Sequence, residues 1–159
     1  MKPNNFQINE AGAHLIAAKL LLLGWPSGSF LIYGPRECGV PNRYRVRVQN
    51  RAGDKLSLRP RVRRSGTWYE PADYRAENDD AYPVFVDLAE GGLAFYVVPP
   101  HWLEQDIRTR HQQYLDEHQG HRARNDASKH HAVELEHIEQ WRDRWDLIEG
   151  EPVACEVVG

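Results

Sequence analysis

Five side chains at alternate positions, Arg43, Arg45, Arg47, Gln49 and Arg51, have the types and spacing to do chemistry together. A period of two places them on one face of a strand, with Tyr44, Val46 and Val48 on the other. Guanidinium forks match phosphate oxygens, so a row of them gives sequence-independent affinity for a phosphate backbone. The surrounding stretch 43–64 holds nine basic residues and one acid, Asp54. Several arginines on one face repel each other and are costly to bury unpaired. Two readings stay open. The face binds an anionic partner such as nucleic acid, or it is a solvent-exposed face paired with the acids between Glu70 and Glu90.

Other chemistries have weaker signals. His101, His111, His118, His121, His130, His131 and His137 cluster late, but no cysteine lies near them, and the pattern does not read as zinc. Ser27 and Ser29 flank a glycine without forming a nucleophile elbow. Neither a P-loop nor a dinucleotide fingerprint is present. The five tryptophans could stack on bases. Trp141 and Trp145, however, sit at helical spacing and read as packing anchors.

These side chains need a scaffold, and the pattern predicts a helix, a run of strands and then more helices. Residues 9–23 are rich in Ala and Leu, with Asn9 as N-cap and Gly24 as the stop. Strands are expected at 29–33, 43–51, 55–63, 82–88 and 93–98, with turns at Ala52-Gly53-Asp54 and Gly91-Gly92. Residues 64–81 read as polar and turn-rich. A helix is expected over 101–119, a charged loop over 120–129, and a final helix over 131–148 striped by Leu135, Ile138, Trp141, Trp145 and Ile148. The expected architecture is one α/β (α+β) domain, a central mixed sheet flanked by helices. Residues 1–8 form a polar lead-in, 9–148 the domain and 149–159 a tail.

Composition bounds the setting. The 159 residues are 41% hydrophobic and 27% charged, with net charge -3, which suits one globular domain. Two cysteines, Cys38 and Cys155, are too few for a disulfide framework. The apolar run 15–23 is too short to span a bilayer, and no export signal is evident. A cytoplasmic protein with no membrane association is expected.

Three segments resemble small bacterial members of the PD-(D/E)XK nuclease superfamily. The opening helix 12–25, ending at Gly24-Trp25, is one. The strand Val46-Arg47-Val48-Gln49-Asn50-Arg51 is similar to the one bearing the (D/E/Q)-x-K signature. Val84-Phe85-Val86-Asp87-Leu88 and Phe95-Tyr96-Val97-Val98-Pro99 resemble the late core strands, and Asp143-Arg144-Trp145-Asp146-Leu147 has the family's flavour. The resemblance implies a restriction-endonuclease-like sheet and Mg²⁺-dependent DNA cutting. Carboxylates hold the metal, and a lysine two residues on stabilises phosphate charge.

The chain departs from that pattern. Gln49 and Arg51 stand where the acid and lysine belong, Glu37 is the acid ahead of the strand, and Ala13 replaces the helix acid. The expectation is a degenerate nuclease, or pseudonuclease, that needs no cofactor and binds DNA, or a protein partner or homodimer, through Arg43, Arg45, Arg47 and Arg51. One alternative is an active Mg²⁺ endonuclease with Glu37 and Gln49 on the metal and Arg51 in the lysine role. Another is a structural subunit of a larger bacterial complex.

Overall fold

Asn4 sets the start of the first helix. Its side-chain oxygen accepts from the Gln7 N–H, and the Gln7 side chain accepts from the Asn4 N–H, both at 2.9 Å. This reciprocal pair satisfies donors that a helix start leaves open. In the computed structural model, which describes residues 1–26, 30–41, 43–78, 81–118 and 130–150, α1 spans Asn5–Leu22. The helix thus starts four residues before the expected cap at Asn9, and half the lead-in is helical. Gly24, at φ 90°, turns the chain out of it, and buried Trp25 packs on Phe30.

The chain then lays down β1 (Phe30–Tyr33), a single helical turn α2 (Pro35–Cys38), β2 (Arg45–Gln49), β3 (Lys55–Arg63), β4 (Trp68–Pro71), β5 (Ala81–Asp87) and β6 (Ala94–Val97). Helix α3 (Pro100–Glu117), β7 (His130–Val133), α4 (Leu135–Ile138) and α5 (Asp146–Glu149) complete it. The main sheet has the order β1-β2-β3-β5-β6. Only β3 and β5 pair parallel, and β4 pairs with β7 in a separate two-stranded sheet. This is a single α+β domain with a mixed sheet flanked by helices.

Each face of the sheet has its own core. On one, Ala13, Ile16 and Leu20 of α1 cover Val46, Val48, Leu58, Val84 and Val86. On the other, Leu103 and Ile107 of α3, with Trp68 and Val133 of β4 and β7, cover Phe85 and Tyr96. Gly12 lets α1 approach closely, because a Cβ there would lie 2.3 Å from Val62 Cγ2. Overpacking typically costs about 1–3 kcal/mol, while alanine returns about 1 kcal/mol of helix propensity. Gly12→Ala is therefore expected to lower unfolding free energy by about 1 kcal/mol. Urea titration checks this, and a variant at or above wild-type stability contradicts the close packing.

Three expected elements differ. The strand over 43–51 is shorter, Arg45–Gln49, because Asn50 accepts from the Ala52 and Asp54 N–H groups and starts a turn. Residues 64–81 contain β4, whose partner β7 lies some sixty residues on. The single helix over 131–148 is instead β7, α4, a 3-10 turn at Glu139–Trp141, and α5. Arg142 leaves the helix to bridge Tyr96, and Asp143 follows at φ 52° with its N–H on Phe95 O at 2.9 Å. The expected loop at 120–129 and all but the first two residues of the tail lie outside the described residues.

Candidate anion-binding face

The register fixes which side chains share a face. Val46 pairs with Leu58 and Arg47 with Ser57, so Arg45, Arg47 and Gln49 share the face opposite α1 with Ser57, Arg59, Arg61 and Arg63. Continuing that register by one pair sets Arg45 beside Arg59. Like charges directly opposite are destabilising, so such an array needs counter-charge.

Half of the array receives it from within. Strand β4 brings Glu70, 0% exposed, over β3. Its Oε1 lies 3.2 Å from Arg59 Nη2 and 2.8 Å from Arg61 Nε, and Oε2 accepts from Arg59 Nη1 at 3.3 Å. Arg61 also donates to the Tyr69 carbonyl. Arg63 lies over the Trp68 ring at 4.3 Å and donates to Asp87 at 2.7 Å. That hydrogen bond raises the Arg63 pKa. Burial works to raise the Asp87 pKa, but hydrogen bonds from Arg63 and the Ala89 N–H, with the nearby arginine charges, hold it below its usual value.

The β1–β2 half lies open. Arg47 stands over the Tyr33 ring at 5.0 Å and donates to its hydroxyl at 3.3 Å. Arg45 is 8% exposed and donates to Tyr44 O at 3.4 Å, while Arg43 is exposed. Neither Arg43 nor Arg47 has an acidic partner among the described residues. These three arginines, Tyr33, Glu37 and Ser57 border a cavity of about 280 Å³.

The other candidate residues are placed differently. Glu37 faces that cavity, and its Oε2 accepts from the Gly34 N–H at 2.9 Å as the cap of α2. Gln49 sits four residues beyond Arg45, about 13 Å along the strand, and donates to Gly53 O at 3.2 Å. One Mg²⁺ takes oxygens at about 2.1 Å. Glu37, grouped with the Arg45 end of β2, and Gln49, at the other end, are too far apart to share it. Arg51 lies beyond the strand in the hairpin turn, its N–H bonded to Glu149 O at 3.1 Å, so it does not share the face of Gln49. Among the described residues no group of three or more His, Cys, Asp or Glu could hold a metal ion.

Glu70 and Asp87, which organise the β3 arginines, were visible in the sequence only as members of an acidic stretch. Trp145 is buried against Phe95 and Trp141 packs on Trp102, which occupies both as core contacts. No helix among the described residues is long and apolar enough to cross a membrane. The geometry stands without a precedent to lean on: no family model, curated protein or solved structure matches the chain.

Proposed function

We propose that this chain is a nuclease-like domain that has given up cutting and binds nucleic acid, in a cytoplasmic setting, through the arginines of β2 and Arg43 just before it. One observation carries the reading. The sheet neutralises its β3 arginines internally, with Glu70 and Asp87, yet Arg43 and Arg47, which border an open cavity beside Glu37, make no ion pair among the described residues. The Arg47 guanidinium, held in place by β2 and by Tyr33, loses little freedom when it takes a phosphate. Phosphate contacts of this kind carry affinity rather than sequence preference. The endonuclease alternative has less support, because Glu37 and Gln49 stand at opposite ends of β2. The structural-subunit alternative has less support, because Trp145 is buried against Phe95 and half-buried Trp141 packs on Trp102, which leaves these tryptophans little free surface for docking.

Fluorescence anisotropy with a mixed-sequence oligonucleotide tests the reading. The wild-type protein is expected to bind at low salt without divalent metal, with affinity falling steeply as salt rises. Arg43→Ala with Arg47→Ala should weaken binding about ten-fold and flatten the salt slope by about two units. Plasmid DNA should stay intact with Mg²⁺ or Mn²⁺. Absence of binding at low salt, or binding indifferent to the double substitution, removes the proposal. Cutting that is lost in Glu37→Ala would restore the endonuclease.

A further inference from the structure

The open face does not end at β2. Strand β3 runs to Arg63 while its register with β2 ends at Leu58, so among the described residues no strand pairs with its second half on that side. Along this edge lie two further cavities. One, about 220 Å³, adjoins the first through the shared walls of Arg43 and Arg45 and reaches Tyr44, Arg59 and Arg61. The other, about 390 Å³, adjoins the second through Asn9 and Arg61, and reaches Arg64, Thr67 and Tyr69 between α1 and the β3–β4 turn. Arg64 is exposed, and Tyr69 is 56% exposed at the far end.

We infer that the three cavities form one track for a single-stranded nucleic acid, entering beside Tyr33 and leaving past Arg64 and Tyr69. This rests on the nucleic-acid reading above and goes beyond it by naming the strand class. Two features of the track favour one strand over two. It turns from the face of the sheet around the end of β2 to the edge of β3. A duplex is stiff, with a persistence length of about 150 base pairs, and cannot follow such a bend cheaply. A single strand can, and it exposes base faces that stack on aromatic side chains while arginines follow its phosphates. The β3 portion alone, Arg59 to Arg63, covers about 13 Å. Together with the β2 portion this suits a strand of about four nucleotides or more.

The test compares one mixed-sequence DNA of about twelve nucleotides as single strand and as duplex, beside a single strand of about three nucleotides. The longer single strand is expected to bind about ten-fold tighter than the duplex. Arg64→Glu and Tyr69→Ala, both at exposed positions, should each weaken the longer strand about ten-fold and leave the short one within about two-fold. Circular dichroism shows whether each variant is folded. Equal or tighter duplex binding overturns the inference and leaves the broader reading standing. A single-strand preference indifferent to both substitutions overturns the track, and failure of every probe to bind at low salt overturns both readings together.

Discussion

Glu70→Ala is expected to cost about 3–5 kcal/mol of unfolding free energy, the loss seen when one partner of a buried charged cluster is removed. A domain of this size has about 5–15 kcal/mol in all, so the variant should be marginal at 37 °C. The size follows from burial: the carboxylate is fully enclosed, and the side chain of Arg59 is 12% exposed. Removing the acid leaves two guanidiniums close together with water largely excluded. Glu70→Gln keeps the shape and some hydrogen bonding, so a smaller loss of about 2 kcal/mol is expected. As a control, Asp146→Asn breaks an exposed pair with Arg144 and should leave stability close to that of the wild type. Urea unfolding of the three variants decides it. A Glu70→Ala protein within about 1 kcal/mol of wild type would mean that the arginines find solvent easily. The Gln variant also bears on function. With the internal acid neutralised, its affinity for polyanions should rise even as stability falls.

Acid should weaken the fold through His131. Burial, then the neighbouring His111, His137 and Arg110 charges, lowers its pKa to about 4, with Asp106 opposing. The ring packs edge-on against His111 of α3 at 6.0 Å between centroids, and its cross-strand partner on β4 is Glu70. The unfolded chain takes up this proton near pH 6.5 and the folded one only near 4. Stability is therefore full above about pH 6.5 and falls as pH drops through the window from 6.5 to 4. Because the residue is only partly buried, the loss is about 1–2 kcal/mol rather than the full linkage value. Asp87, with its lowered pKa, extends the loss to more acid conditions. Urea midpoints taken across that window should decline in the wild type and stay flatter in His131→Phe. Parallel declines would assign the acid sensitivity elsewhere.

The sheet was legible where its chemistry is local. Alternation of Arg45, Val46, Arg47 and Val48 marks a strand with one apolar face, and α1 covers that face as its Ala- and Leu-rich sequence suggests. The turn through Gly53 and the break at Gly24 follow from residue type, whereas the earlier end of β2 at Asn50 was not legible. What stayed hidden depends on distant partners. Strand β4 is four residues long and carries a glutamate that is buried only because two arginines on β3 receive it. The apolar residues from Leu135 to Ile148 have helical spacing. Their chain path was decided instead by a bridge to Tyr96 and a hydrogen bond to Phe95. Of the site, the arginine row could be read directly. The placement of Glu37 and Gln49 at opposite ends of β2 could not, because it depends on where β2 stops.

The side chain of Asn50 spans 98 residues of sequence to reach the Ile148 carbonyl at 3.3 Å, next to the bond from the Arg51 N–H to Glu149 O. A hairpin that forms early in the chain is thus fastened by nearly the last described residues. During synthesis on a ribosome, the strand carrying Arg45 and Arg47 exists long before the piece that clamps its turn has emerged. The nascent chain must carry its basic row through the 98 residues from Asn50 to Ile148 without that fastening, so the clamp belongs to the later steps of this domain's folding rather than to its nucleus.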